Sequence, residues 1–446
     1  MTSPEEEMTL AEQEVEAQFG ADFFAVVQGK ETFLAASLAN AIISMGPVGV
    51  GREDHLWSYQ NGVWKRDKNV VTHRATKFMG ERYRGFQATT AEDIIKASAP
   101  HITCNPVSRY INFKNTMVDW KTGEEVGHDP GILSTIQLGA NWNPEATCPE
   151  FDKFLSTIVP EDIVPLVWEV IGYLMMTGNP LHVAIMLHGL GRNGKGTLLR
   201  VVEDILGTGN ITAVTLQALA NEDNRFAGSA LFGKLANIAG DIDGTFIDKT
   251  AKFKAITGED VVHAEFKGKD GFDFEPYAVP VFSANKIPGS ADVSTGYLAR
   301  WVVLPFPNDF TGREDRGLRE RLSAEAEGIA VKALPALREL MDRGQFREPA
   351  SAKAAKEDFR RKVDQVSTWL DDRTERDENA QPVKRAFLYS DYKNWARSDG
   401  YGQLKSHEFY DRLRANGVEL VKIRGIDLVK GIKLTNQALN VTSPYG

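Results

Sequence analysis

Residues 183–207 read VAIMLHGLGRNGKGTLLRVVEDILG, an apolar run, a glycine-rich loop and a helical periodicity in immediate succession. Strand, glycine loop and helix in that order are the context of a phosphate-binding loop. Gly189, Leu190, Gly191, Arg192, Asn193 and Gly194 lead into Lys195. Glycines let successive backbone N–H groups turn into one concavity, and the following helix presents the positive end of its dipole there. Lys195 adds a point charge suited to β- and γ-phosphates. The implied chemistry is the gripping of a nucleoside triphosphate, with ATP and Mg²⁺ as the expected pair. One position departs from the usual pattern. The residue after the lysine, ordinarily a Ser or Thr whose hydroxyl ligates Mg²⁺, is Gly196, and Thr197 comes next. Either Thr197 supplies the hydroxyl, or the metal rests on water and acidic residues. A plain glycine turn before an ordinary helix is the competing interpretation, and the strand and helix on either side argue against it.

Hydrolysis also needs a carboxylate near the phosphates. GKLANIAGDIDG at 233–244 is an apolar run ending in Asp241 and Asp243. Carboxylates at a strand tip hold Mg²⁺ through water and orient the attacking water. Asp241 is the first choice for the metal and Asp243 the second. YAVPVFSANKIP at 277–288 ends a further apolar run in Asn285, which either senses the γ-phosphate or forms the turn before Lys-Ile-Pro. STGYLARWVVLPF at 294–306 sets Arg300 just before another such run. An arginine there either reaches a nucleotide on an adjacent subunit as a finger or makes a surface salt bridge.

Two other segments have chemistry suited to a polyanion. In EFKGKDGFDF at 265–274, Phe266 and Phe272 flank a basic, glycine-rich tip carrying Lys267 and Lys269. The pattern predicts a hairpin whose lysines contact phosphates or stand in an ordinary exposed turn. From residue 381 onward there are eleven Lys or Arg and six Asp or Glu, a balance of +5 in a chain whose formal net charge is −9. AFLYSDYKNWARSDG predicts one helix, 406–416 a second with Phe409 and Leu413 inward, and VELVKIRGIDLVKGIKL a two-stranded wing turning near Gly425. Helix, helix and wing compose a winged-helix unit, which lays its second helix into a duplex groove or docks a protein. Its basic candidates are Lys405, Arg412, Arg414, Lys422 and Arg424.

The elements that must position these residues follow from the same patterns. Apolar strands alternate with helices over 150–345, which predicts an α/β domain on a largely parallel sheet. Before it lie an acidic segment, 1–30, and a mixed α/β domain, 31–149. After it come a helical connector and linker, 346–380, and the winged-helix domain, 381–446. Within 31–149, LWSYQNGVWKRD carries a two-residue hairpin signal at Asn61-Gly62. FKNTMVDWKTGEEV at 113–126 reads as strand, turn at Lys121-Thr122-Gly123 and return strand. The longest apolar stretch, 163–176, is interrupted by Pro165 and Glu169 and reads as a buried helix rather than a membrane span. With 42% apolar and 25% charged residues, the 446-residue chain is that of an ordinary soluble protein with more than one core. Its negative total excludes a basic coat for nucleic acid, so any DNA contact is local. Cys104 and Cys148 fit no zinc pattern and no disulfide framework. The first twenty residues hold six Glu and no Lys or Arg, unlike a signal peptide. A cytoplasmic location is the expectation.

Taken in order, GLGRNGKGTL, NRF followed by LFGKLANIAGDID, FKAITGEDVVHAEFKGKDGFDF, VFSANKIP and GYLARWVVLPF resemble the helicase module of phage and plasmid primase–helicases. That family belongs to superfamily 3 and includes the poxvirus primase–helicase. Upstream, MVDWKTGEE, GANWNPEATCPEFDKFL and LVWEVIGYLMM resemble the domain that precedes its helicase, so the resemblance runs from about residue 50 to the end. It implies an AAA+-like ATPase core, a homohexameric ring and single-stranded DNA threaded through a central pore. Carried onto this chain, Lys195 binds phosphate, Thr197 lies near the metal, and Asp241 and Asp243 occupy the second motif. Asn285 takes the sensor position and Arg300 the finger. Lys254 and the loop from Lys267 to Lys269 fall where the superfamily forms its pore hairpin. No segment before residue 150 offers a primase's carboxylate set or zinc-ribbon cysteines. The expectation is thus the helicase half alone, acting on single-stranded and forked DNA in phage or mobile-element replication, with a separate primase or initiator as partner. An origin-melting initiator and a DNA-binding adaptor whose ATP site sets oligomeric state are the alternatives.

Overall fold

A computed structural model describes residues 23–103, 109–268, 270–313 and 315–435. Most of the acidic segment 1–30, Cys104 and Lys269 fall outside the described residues. The chain divides after Trp142 into two compact units.

The first unit joins the hairpin Phe24–Val27/Lys30–Phe33 to helices Ala35–Ser44, Val70–Met79 and Gly85–Ser98. It also holds an antiparallel sheet of Val48–Val50, Leu56–Gln60 and Val63–Arg66. Leu38, Ile42, Val71, Ala75, Ala91 and Ile95 share its core, each helix burying positions three or four apart. Asn61 and Gly62 turn at φ 49° and 82°, the two left-handed residues a tight hairpin requires. Residues 113–126 follow the expected strand, turn and return in shortened form. Tyr110–Asn112 pairs with Met117–Asp119, and the return after Gly123 is reduced to a bridge between Val118 and Glu125. The Asp119 carboxylate accepts from the backbone N–H groups of Lys121 and Thr122 and pairs with Arg109, which fixes the expected turn at 121–123.

The second unit is built on five parallel strands: β1 (Ala184–His188), β2 (Ile211–Thr212), β3 (Ala236–Ile242), β4 (Val279–Ala284) and β5 (Trp301–Pro305). Their order across the sheet is β5-β1-β4-β3-β2. β1, β3 and β4 are nearly continuous apolar runs, as a parallel sheet covered on both faces demands. Phe253 stacks on Trp301 with centroids 5.1 Å apart, and Phe282, Tyr297 and Phe359 pack around the same indole. The apolar stretch at 163–176 forms the buried helix Val164–Met175. Its Glu169, 1% exposed, is held by Arg343 Nη2 at 2.6 Å and by Arg347 through Nε at 2.6 Å and backbone N at 3.0 Å. No helix among the described residues is long and apolar enough to cross a membrane.

After the sheet the chain continues through helices Ala350–Val363 and Gln365–Arg373, then helix Arg385–Ser398, helix Ser406–Ala415 and the hairpin Glu419–Ile423/Ile426–Lys430. The hairpin turns on Arg424 and Gly425 at φ 47° and 82°. The polar segment 371–382 is not wholly a linker. Trp369 and Leu370 lie in one core with Tyr392, Phe409 and Leu413, and Thr374–Arg376 pairs antiparallel with Ile432–Leu434.

Candidate functional site

Because the strands are parallel, the residues following β1, β3, β4 and β5 leave the sheet along one edge. Ligands of such sheets bind at that carboxyl edge, where the connections diverge. β1 has β4 on one side and β5 on the other, so the loop after His188 stands at the point of divergence.

The loop of residues 189–194 is braced from below. Asn193, 2% exposed, donates through Nδ2 to the Phe306 carbonyl at 3.1 Å, and Phe310 N–H donates to the Arg192 carbonyl at 2.9 Å. A Cβ at Gly189 would lie 2.2 Å from the Phe306 oxygen, so only glycine lets the loop sit this close to the segment after β5. Gly194 turns at φ +89°, and a Cβ there would meet Ile158 at 2.5 Å. Helix Lys195–Leu206 starts directly after it. Gly191 and Gly196 differ: an added Cβ would meet nothing within 4 Å at either.

Lys195 is the first residue of this helix and 5% exposed. Its Nζ donates to the carbonyls of Gly189 at 2.5 Å and Leu190 at 3.1 Å and to Asn285 Oδ1 at 3.2 Å. Asn285 Nδ2 in turn donates to Asp241 Oδ1 at 3.0 Å. Three residues picked from separate stretches of sequence thus form one polar chain. Burial lowers the Lys195 pKa, and the Asp241 charge works against that shift. The β3 register slips between Ala239 and Ile242, and Asp241 takes φ +50°. A bulge of this kind re-aims a side chain at a strand end, and aspartate is among the residues that tolerate the left-handed region.

The other expected residues fare differently. Asp243 is drawn into a turn, accepting from Thr245 N at 2.9 Å and Gln217 Nε2 at 3.1 Å, and the Thr245 hydrogen bonds hold its carboxyl below the usual range. Thr197 is half-buried at the third helical position, about 100° around the axis from Gly196. Arg300 precedes β5, and the register pairs Trp301 with Ala184 and Pro305 with His188. It therefore lies at the opposite edge from the loop of residues 189–194, about 16 Å away along the strand at ~3.3 Å per residue. Its Nε donates to Thr257 Oγ1 at 2.9 Å and its Nη1 to the Gly296 carbonyl. Among the described residues no group of three His, Cys, Asp or Glu could by itself hold a metal. A magnesium ion here would rest on phosphate oxygens and water, with Asp241 as the nearby carboxylate.

The basic residues also separate. Val262–Glu265 and Gly271–Phe274 pair as the expected hairpin, with Phe266 stacked on Phe272 at 4.9 Å and Lys267 exposed at the tip. Lys254 pairs with Asp292 at 2.8 Å, in the segment after β4. Lys405, Arg414, Lys422 and Arg424 are exposed, Arg414 beside Asp411 at 2.6 Å. Arg412 is a correction. It is 9% exposed, paired with Asp364 at 3.2 Å and turned onto the carbonyls of Ser290 and Ala291. Its position on the inner face of helix Ser406–Ala415, beside Phe409 and Leu413, removes it from any DNA-facing surface.

Sequence reasoning missed His188, the last residue of β1. Its Nε2 lies 3.3 Å from Lys362 Nζ and 4.0 Å from Asp358 Oδ2, both on helix Ala350–Val363. Burial and the Lys362 charge push the imidazole below its ordinary value. A polar residue closing an apolar run just before the glycines was the available signal.

Residues 89–160 match a family described as D5 N terminal like. Residues 187–300, which span the glycine loop through Arg300, match a family of unknown function, DUF5906. Among solved structures, the A form apo structure of the NrS-1 C terminal region is similar with a TM-score of 0.52 at 12% identity, over 89% of this chain and 99% of that one. A further apo structure of that region gives 0.51 at 12% identity, over 90% and 99%. At this identity the likeness is one of fold.

Proposed function

We propose that the chain is an ATP-dependent DNA helicase of the superfamily 3 type, working as a homohexameric ring in phage or mobile-element replication. The polar chain Lys195–Asn285–Asp241 at the carboxyl edge of a β5-β1-β4-β3-β2 sheet carries this reading. A P-loop ATPase of the AAA+ kind needs that strand order and those three groups around one loop. Loop N–H groups and Lys195 bind the β- and γ-phosphates of ATP, while Asp241 and Asn285 orient the attacking water. Mg²⁺ supplies charge neutralisation across the phosphate oxygens. Arg300, remote from its own loop, serves a neighbour's nucleotide, which is why the active form is a ring. Lys267, at the tip of its hairpin, faces the threaded strand, and the C-terminal helices and hairpin act as a winged helix that holds the duplex arm of a fork through Lys405, Arg414, Lys422 and Arg424. The D5 N terminal like match, lying on the segment ahead of the ATPase core, supports a place in this family, with a separate primase or initiator as partner.

The test is displacement of a labelled strand from a fork, with and without ATP and Mg²⁺, alongside electron micrographs of the nucleotide-bound protein. ATP-dependent displacement by rings is the expected outcome. Hydrolysis without displacement, or a monomer at all concentrations, overturns the helicase assignment.

A further inference from the structure

The loops after β3 and β4 are bound to each other beyond the Asn285–Asp241 contact. Ile247 N–H donates to the Gly289 carbonyl and Ala291 N–H to the Ile247 carbonyl, each at 2.9 Å. The pair is then gripped from the C-terminal elements at two places. Arg412 caps the carbonyls of Ser290 and Ala291 while its charge is met by Asp364, whose other oxygen accepts from Asn416 Nδ2 at 2.9 Å. Phe246 packs edge-on against Tyr401 at 6.1 Å, and Tyr401 stacks on Trp395 at 4.8 Å. Both approaches are close: a Cβ at Gly289 would lie 2.7 Å from the Tyr401 ring, and one at Gly402 would lie 2.8 Å from the Phe246 ring.

Arg412, Lys405 and Arg414 stand on or beside one helix with opposite faces occupied. Arg414 and Lys405 face solvent, and Arg412 faces the loop that begins at Asn285. A planar guanidinium that bridges two carbonyls and one carboxylate has a fixed geometry, so a tilt of the helix moves the carbonyls with it. We infer that Arg412 is a positioning residue that makes DNA binding at the C-terminal helices and nucleotide binding at the phosphate loop mutually dependent. The inference rests on the proposed ATP and DNA sites and adds a link between them.

Linkage supplies a test that a merely structural role would not pass, because two coupled ligands must change each other's affinity by the same factor. The full chain is titrated with a nonhydrolysable ATP analogue, with and without a short blunt duplex that offers no single strand. The duplex is then titrated with and without the analogue. Wild type is expected to give one factor in both directions, within the usual range of about 5- to 150-fold. Arg412→Lys keeps the charge opposite Asp364 but loses the fork, so each ligand alone should bind as in wild type while the factor falls to near one. Phe246→Leu, which leaves the buried ion pair untouched, should reduce the factor as well and decides the matter if Arg412→Lys melts early. Wild type that binds both ligands without mutual effect, or variants that keep the full factor, overturns the coupling alone. Wild type that binds neither ligand overturns the proposed sites and the coupling together.

Discussion

Asn285 donates its side-chain N–H to Asp241 Oδ1 at 3.0 Å, so the residue after β4 orients the carboxylate at the end of β3. Its oxygen accepts from Lys195 at 3.2 Å. Asn285→Ala should lower kcat for ATP hydrolysis by about 100-fold, the order seen when one positioned polar group is lost from a transition-state site, with a smaller change in KM. Lys195→Ala should remove measurable turnover, and the double variant should be no worse than Lys195→Ala because the residues act as a unit. Steady-state kinetics checks this, and a wild-type kcat in Asn285→Ala would sink the assignment.

Gly196 offers open space where related loops carry a hydroxyl. Gly196→Ser should tighten the Mg²⁺ dependence of hydrolysis and raise thermal stability by up to about 1 kcal/mol, since glycine is a poor helix residue. Thr197→Ala should leave the Mg²⁺ titration near wild type because its hydroxyl points elsewhere around the helix. A large shift in Thr197→Ala with none in Gly196→Ser would reverse the two roles.

Arg300 lies across the sheet from its own Lys195. Arg300→Ala and Lys195→Ala proteins should each be inactive, yet mixing them should restore part of the ATPase activity, because some interfaces would unite an intact loop with an intact arginine. Lost fingers cost roughly a thousandfold or more, so even a few restored interfaces are measurable. Absence of rescue in mixed rings verified by mass would confine Arg300 to its own subunit.

His188 is held neutral by burial and by Lys362, with its pKa below the ordinary 6.5. The unfolded chain takes up this proton near 6.5 and the folded one only at lower pH. The stabilisation is therefore complete above 6.5 and lost progressively as pH falls toward the lowered value. Between about pH 7.5 and 5.5, wild type should lose more melting temperature than His188→Gln. Lys362→Met, which removes the opposing cation, should narrow the difference. Parallel curves for wild type and His188→Gln would exclude His188 as the source.

Neutralising the two basic surfaces should have separate consequences. Lys267→Ala should abolish stimulation of ATP hydrolysis by single-stranded DNA while basal turnover persists. Lys422→Ala with Arg424→Ala should weaken duplex binding and flatten its salt dependence by about one unit of slope per lost phosphate contact. Filter binding across a salt series reads the second effect. Loss of single-strand stimulation in the Lys422→Ala, Arg424→Ala variant instead would place the threaded strand at the C-terminal hairpin.

The strand, glycine loop and helix at 183–207 were legible because their signals are local: glycines fix the turn, an apolar run fixes the strand, and both lie within twenty-five residues. Asp241 and Asn285 were legible as polar ends of apolar runs, although nothing local could say that they touch. Arg412 shows the limit. Its sequence surroundings match those of Arg414 two positions on, and what buries it is Asp364, 48 residues earlier, together with two backbone carbonyls. The return after Gly123 was legible from its turn signal, which Asp119 reinforces by accepting from Lys121 and Thr122, although it pairs over fewer residues than a full strand. The strand inside 371–382 was hidden because its partner, Ile432–Leu434, is distant in sequence.

Glu169 dictates where the sheet-bearing core can be cut. A fragment ending at residue 345, the border drawn from hydropathy, keeps Arg343 but discards Arg347 and with it two of the three hydrogen bonds that satisfy the buried carboxylate. An unmet buried acceptor of this kind costs about 1–3 kcal/mol or more. Such a fragment would also expose the sheet-side core that Phe359 and Val363 complete. A separately expressed core should therefore run through Val363, and its shorter form should be found in the insoluble fraction.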